Sequence, residues 1–194
     1  MTEPKPTNAP LTEEQILAAN IGAPLVLNGG IALSPYDPEW PERYAALARD
    51  IGAALGAKVL TLEHVGSTSV PGLSAKRVID IILAVADSSD ELAYVPALEA
   101  RGFVLKIREP DWFEHRLLKT PDEGVNLHVF TQGCEEIARM LAFRDRLRTN
   151  DDDRQLYERT KQELAQRTWK YMQNYADAKS EVVNAILSRA LRGI

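Results

Sequence analysis

The sequence predicts a mixed α/β protein: a β-sheet with helices on its flanks, followed by a helical segment. Three observations carry this reading. Residues 78–85 (VIDIILAV) are nearly all apolar, as in a central strand covered on both faces. On either side of them, helical and strand-like spacings of apolar residues alternate. Behind Gly133 the pattern is helical throughout, which places a helical unit beside the sheet.

The elements follow in order. Residues 1–10 (MTEPKPTNAP) are rich in Pro and polar groups and read as a disordered lead. Thr12 and Gln15 match a capping box ahead of Ile16 and Leu17, so a short helix is expected there. Residues 25–33 hold two strand-like pieces around a turn at Asn28-Gly29-Gly30. Asp37 and Pro38 mark a helix start. Trp40, Tyr44, Leu47, Ile51 and Leu55 then recur on one helical face until Gly56. Residues 58–65 alternate and are rich in Val, Leu and Thr, a strand. After the central strand, Ser88 or Ser89 is expected to cap a helix carrying Leu92, Val95 and Leu98, ended by Gly102. Residues 103–107 form a further strand. Residues 115–118 and 125–130 are expected to pair as a hairpin across a Thr-Pro-Asp-Glu-Gly turn. One helix then carries Ile137, Met140, Leu141 and Leu147. A second begins at Asp151-Asp152-Asp153 and runs through Leu156, Leu164 and Tyr171. A third is capped by Asp177 and carries Val182, Val183, Ile186 and Leu187. The organisation expected is an extension over residues 1–30, an α/β core over 31–133 and a helical subdomain over 134–194.

Composition limits the function. The 194 residues contain 23 Lys+Arg and 28 Asp+Glu, a net charge of −5, with 45% apolar and 26% charged residues. That mix suits a globular chain, and no apolar run approaches the ~20 residues of a membrane span. The N-terminus lacks the apolar core of a secretory signal. The single cysteine, Cys134, has no partner for an internal disulfide, which fits a reducing, cytoplasmic location. An acidic chain is a poor nucleic-acid platform, so a small-molecule partner is favoured. Between Arg139 and Lys179, however, ten basic residues face seven acidic ones, a local positive excess.

The chemistry concentrates between residues 64 and 80. His64-Val65-Gly66-Ser67-Thr68 leaves a strand and enters a turn. Gly66 permits backbone conformations closed to other residues, and the hydroxyls of Ser67, Thr68 and Ser69 stand beside backbone N–H groups, a setting that can cradle phosphate oxygens. Asp80 is the one charge in the apolar strand, and its burial is costly unless a divalent cation, Lys76 or Arg77 pairs with it. The Gly-Lys-Ser/Thr arrangement of a P-loop is missing.

The stretch from Glu63 to Asp80 (EHVGSTSVPGLSAKRVID) closely resembles the signature of the GrpB family. The likeness extends to Pro35-Tyr36-Asp37-Pro38 with Trp40, to Val125-Asn126-Leu127-His128-Val129, and from Phe143 through Lys161, so it covers roughly residues 31–190. It implies a nucleotidyltransferase-like fold. Such proteins place a Gly-Ser turn at a triphosphate, ATP or another NTP, and use carboxylates on the next strands to hold two Mg²⁺ or Mn²⁺ ions. Carried over, Gly66 and Ser67 fit the turn and Asp80 the first carboxylate. Ile82 stands where a second carboxylate belongs, so either Glu63, Asp111 or Glu114 completes the set, or one metal suffices, or nucleotide binds without that chemistry. His128 stands near the third, as a metal ligand or base. An imidazole suits a softer metal than Mg²⁺. Thr68, His64 and Lys76 flank the phosphate turn. Tyr157 and Lys161, four apart on one helical face, match similar positions in GrpB-like chains, with Lys161 aimed at the outer phosphates. Arg116 is a candidate phosphate grip, and Arg144 with Arg148 is expected to border the same cleft. GrpB-like segments also look related to a part fused to dephospho-coenzyme A kinase. The expected function is transfer of a nucleotidyl group to a small-molecule acceptor, or its activation with ATP. The alternatives are a noncatalytic nucleotide- or coenzyme-binding module and an ATP-dependent amide-forming enzyme. Residues 1–30 are candidates for pairing with a second copy in a homodimer.

Overall fold

A computed structural model describes residues 10–191. The disordered lead expected over residues 1–10 falls, apart from Pro10, outside the described residues. Helix α1 (Glu13–Ala19) starts at the expected capping box: Thr12 Oγ1 accepts from Gln15 N, and Gln15 Oε1 accepts from Thr12 N. Strand β1 (Val26–Gly29) follows as one strand; the two pieces expected around Asn28-Gly29-Gly30 do not pair with each other. Helix α2 (Trp40–Leu55) has Asp37 Oδ1 accepting from Glu39 N just ahead of it, and it ends at Gly56.

The main sheet is built from β2 (Thr61–Val65), β3 (Ile79–Val85), β4 (Val104–Glu109), β5 (His115–Lys119) and β6 (Val125–Thr131), in the order β2-β3-β6-β5-β4. Strand β3 is an interior strand buried on both faces, though the middle strand is β6, and the β5–β6 hairpin agrees with the sequence reading. Only β3 and β6 run parallel; the other pairs are antiparallel, so the sheet is mixed. The helix expected to carry Leu92 is broken into a 3₁₀ turn (Glu91–Ala93) and α3 (Val95–Glu99), and Leu92 is 86% exposed. Pro96 near the start of α3 lacks the N–H that a longer helix would need there.

The alternation of β3 divides the core. Ile79, Ile81, Leu83 and Val85 face α2 and α3, packing with Trp40, Ile51, Tyr94 and Leu98. Ile82 and Ala84 face the other way and pack with Val65, Phe130 and Ile137. Asp80 lies on this second face, at the end of the strand.

Helices α4 (Glu135–Thr149) and α5 (Asp151–Ala165) follow. Asn150 caps α5 through Asp153 N, with three acids in the first turn as expected. The second helix does not run on to Tyr171. It stops at Ala165, and β7 (Trp169–Tyr171) pairs antiparallel with β1. Asp177 does not cap the last helix either. It ends a short α6 (Met172–Asp177), where it accepts from Leu11 N and Gln173 Nε2, and α7 (Ser180–Leu191) begins at Ser180. Val70 and Leu73, just behind the glycine turn, pack with Leu147, Tyr157 and Ile186 of the helices, so the turn is wedged between sheet and helical segment. Among the described residues, no helix is long and apolar enough to cross a membrane.

Candidate functional site

The turn and the acid meet. Gly66 has φ 70° and ψ −176°, a conformation essentially restricted to glycine. A Cβ there would lie 2.3 Å from Asp80 Oδ2 and 2.9 Å from Asp80 Cβ and Cγ. Glycine is therefore demanded twice, by its backbone angles and by the carboxylate against it. The register explains the encounter: Val65 pairs with Asp80 across the β2–β3 ladder, so the residue after Val65 turns over the acid. The 3₁₀ turn (Ser67–Ser69) is tied down by Ser69 Oγ donating to Gly66 O at 2.6 Å.

Asp80 is held from the next strand. Asn126, its partner across β3–β6, donates from Nδ2 to Asp80 Oδ1 at 2.8 Å. His128 Nε2 stands 3.7 Å from the same oxygen. Burial works to raise the Asp80 pKa, but His128, Asn126 and the Lys76 charge outweigh it and hold the carboxyl below its ordinary range. His128 is linked in turn to His115, Nδ1 to Nε2 at 3.1 Å, and His115 Nδ1 lies 2.8 Å from Glu109 Oε2. Burial pushes His115 down to about 4, the Glu109 bond opposing it.

These groups open onto a cavity of about 570 Å³. Gly66, Ser67, Thr68, Lys76, Asp80, His128, Tyr157 and Lys161 all line it, so eight of the twelve residues expected at the cleft surround one space. Residues of the N-terminal stretch, among them Leu11, Ile16 and Leu25, form another part of its wall. Ser67 meets the Tyr157 hydroxyl, whose pKa burial raises to about 12. Lys161 is 2% exposed, and its ammonium is engaged by the Ser74 carbonyl, by Glu158 Oε2 at 3.4 Å and by the Tyr157 ring. Burial lowers its pKa to about 8.

Four expected residues stand elsewhere. Arg116 shares the face of Leu118, is 5% exposed, and is paired with Glu91 at 2.6 Å and Glu114 at 3.1 Å. His64 stacks on Tyr44 at 4.8 Å, bonds Thr68 Oγ1 at 3.0 Å, and lines a second cavity of about 430 Å³. Burial pushes its pKa down to about 4. Arg144 and Arg148 border that second cavity instead of the first. Arg148 donates twice to Ser69 O and Arg144 donates to His64 O, which clamps α4 to the back of the turn.

Among the polar residues of the cavity that sequence reasoning passed over are Glu109, Lys179 and Tyr175. The Tyr175 hydroxyl is buried with no hydrogen-bond partner among the described residues. Lys179 Nζ sits 4.5 Å from the Tyr175 ring centroid, and burial brings its pKa to about 8. Lys76 Nζ has only the Met172 thioether, at 3.0 Å, as its hydrogen-bond partner among the described residues. A thioether is a weak acceptor, so two ammonium groups and a phenol of the cavity have no oxygen acceptor among the described residues.

The donor set is too small for two divalent cations. Asp80 and His128 offer an oxygen and a nitrogen, but Ile82 is 0% exposed in an apolar cluster where a second carboxylate would be needed. Among the described residues there is no group of three or more His, Cys, Asp or Glu side chains able to share an ion.

Fold and site thus define a mixed α/β protein in which a glycine turn and a strand aspartate open onto one charged cavity. The chain belongs to the GrpB family: the family model described as "GrpB protein" matches residues 30–189. It is 53% identical over 183 residues to a UPF0157 protein of Halalkalibacterium halodurans, covering 94% of each chain. It resembles the crystal structure of conserved protein GrpB from Enterococcus faecalis with a TM-score of 0.74 and 30% identity, over 84% of this chain and 98% of that one. A dephospho-CoA kinase of Mycolicibacterium paratuberculosis is 30% identical over 77% of this chain and 43% of its own length.

Proposed function

We propose that this protein binds a nucleoside triphosphate, ATP or another NTP, with one divalent cation in the 570 Å³ cavity, and transfers a nucleotidyl group to a small-molecule acceptor. One observation carries the reading. The Gly66 turn and Asp80 are packed against each other at the cavity, and Lys76, Lys179 and Tyr175, which also line it, have no oxygen hydrogen-bond partner among the described residues. Anions and a cation are thereby accommodated in one space of small-molecule size.

Each residue has a role in this scheme. Ser67 and Thr68 bind phosphate oxygens beside the Gly66 backbone. Asp80 and His128 hold the cation, Mg²⁺ or Mn²⁺, which when bound polarises the phosphates and offsets their charge. Lys76 and Lys179 neutralise the outer phosphates. Lys161 acts from one layer behind, by fixing Ser74 and Tyr157. The acceptor oxygen attacks the α-phosphorus, the bond to the β-phosphate oxygen breaks, and pyrophosphate leaves with that electron pair. The acceptor proton leaves to solvent water. The acidic surface and single cysteine favour a small acceptor in the cytoplasm over a polymer.

A noncatalytic nucleotide- or coenzyme-binding module is the second reading, favoured by Ile82 in place of a carboxylate. Incubation with labelled NTPs, Mg²⁺ or Mn²⁺ and a panel of hydroxy and amino acceptors separates the two. Pyrophosphate release that disappears in Asp80→Ala supports transfer. Tight NTP binding with no turnover on any acceptor supports the module, and AMP or ADP release only with an amine supports amide formation. Absence of NTP binding refutes all three.

A further inference from the structure

The second cavity, of about 430 Å³, takes no part in the proposed transfer and shares no lining residue with the first. Its lining holds three arginines and one acid. Arg144 and Arg148 stand one turn apart on α4, Arg154 stands near the start of α5, and Glu63 belongs to β2. Tyr36, Tyr44 and His64 supply its rings.

The counter-charges are unequally shared. Glu63 binds Arg144 at 2.7 Å. Asp145, 55% exposed and outside the lining, is also held by Arg144 at 2.7 Å; it stands 3.6 Å from Arg148 Nη1, too far for a hydrogen bond. Asp151, 74% exposed and likewise outside the lining, accepts from Arg154 at 2.6 Å. Arg148 is thus without a carboxylate of its own. Its Nε and Nη2 donate to the neutral Ser69 carbonyl at 3.0 and 2.9 Å, and its Nη1 makes no hydrogen bond among the described residues. The Tyr36 hydroxyl makes none there either. Burial and the Arg144 charge lower the Arg148 pKa, outweighing the opposing effects of Asp145 and Glu63. A guanidinium nevertheless keeps its proton in a protein, so the like charges stay, and a bound anion relieves them.

The lining selects the class of anion. A carboxylate has two oxygens in one plane, and a single guanidinium fork satisfies both. Arginines from two helices around one space suit a tetrahedral phosphate with three free oxygens. The space is of small-molecule size, and Tyr36, Tyr44, Pro41 and Pro71 leave room beside the arginines for an organic group. We infer that this second cavity is a binding site for a small phosphate monoester, with Arg148, Arg154 and the Tyr36 hydroxyl as its donors. The inference goes beyond the nucleotide reading and does not depend on it.

The chain's three histidines tell the cavities apart: His64 lines the second, His128 lines the first, and His115 lines neither. Their imidazole signals, assigned with His64→Gln and His128→Gln, are followed by NMR in the purified full chain. Sodium phosphate, phenyl phosphate and sodium acetate are titrated in at constant ionic strength and about pH 8, where phosphate is mostly doubly charged. His64, with its pKa at about 4, is neutral there, so its shift reports binding and not titration. The expected result is a saturable His64 shift with both phosphates, tighter for phenyl phosphate, and none with acetate. Arg148→Lys keeps the charge and loses the fork; Arg154→Gln leaves the turn alone, since Arg154 bonds Leu147 O and Asp151. Each is expected to weaken phosphate binding by roughly tenfold or more. Circular dichroism checks that both variants fold, and if Arg148→Lys does not, Arg154→Gln decides. A His64 signal that stays in place or never saturates overturns the inference. So does a shift confined to His128, acetate binding as tightly as phosphate, phenyl phosphate binding no tighter than phosphate, or an unchanged affinity in folded Arg154→Gln.

Discussion

Gly66→Ala is the sharpest test of the contact between turn and acid. The added methyl would lie 2.3 Å from Asp80 Oδ2, where atoms do not approach, and 2.9 Å from its Cβ and Cγ. The carboxylate has little freedom to retreat, since Asn126 holds it at 2.8 Å. The backbone at φ 70° and ψ −176° adds its own strain, of order 1–3 kcal/mol for a non-glycine residue. Overpacking costs a further ~1–3 kcal/mol, for a total of about 2–6 kcal/mol. For a domain of this size that lowers Tm by roughly 4–24 °C. Gly72→Ala is the comparison: Gly72 also has positive φ, at 79°, but nothing lies within 4 Å of its added Cβ. Thermal unfolding of both variants by circular dichroism separates the contact from the backbone. Equal losses would refute the claim that Asp80 is packed onto the turn.

Three further outcomes follow from the packing. His64 is 6% exposed and its pKa is pushed down to about 4, so the unfolded chain takes up a proton below pH 6.5 that the folded chain resists; stability is lost from pH 6.5 toward 4, by up to about 3 kcal/mol. Urea unfolding of His64→Gln across that window is expected to show a flatter pH profile than the unsubstituted chain. Asp153 is 4% exposed between Arg146 at 2.7 Å and Arg189 at 2.5 Å, and despite burial these arginines hold its pKa low. Its contribution is complete above the ordinary Asp range and lost as pH falls through its lowered value. Asp153→Asn is expected to cost about 1–3 kcal/mol in urea unfolding at pH 7, discounted because both arginines are partly exposed. Ile82→Asp does not rebuild a second cation ligand; it buries a carboxyl among Val65, Ala84, Phe130 and Ile137, and a loss of more than about 3 kcal/mol is expected in the same assay.

Much of the sheet was legible because its signals are local. The apolar run of β3, the alternation of β2 and the β5–β6 turn each announce themselves within a few residues. The convergence of Gly66 and Asp80 was only half legible, since the residue types were visible but the register placing them in contact was not. Strand β7 was invisible: three residues, Trp169–Tyr171, become a strand only because β1 lies alongside. The helix at Leu92 failed for the opposite reason. A helical spacing of apolar residues was present, but Pro96 broke it and Leu92 faces solvent. Lys179 and Glu109 carry no motif. Their place in the cavity depends on how α6 and β4 close over it, and a sequence spacing does not record that. Arg116 looked like a phosphate grip because a free arginine and a paired one are spelled alike. Glu91, 25 positions earlier, decides the matter.

The pairing of β1 with β7 has a bearing on how the protein is made. Leu11, Leu25 and Lys179 come from opposite ends of the chain, yet they border the same hollow. During synthesis the central sheet can assemble as soon as β6 has left the ribosome, but the hollow has no floor until the last helices emerge. Ligand capture by a nascent chain is therefore expected to begin only near release, and a carboxy-terminal truncation before β7 is expected to retain the sheet and lose the chamber.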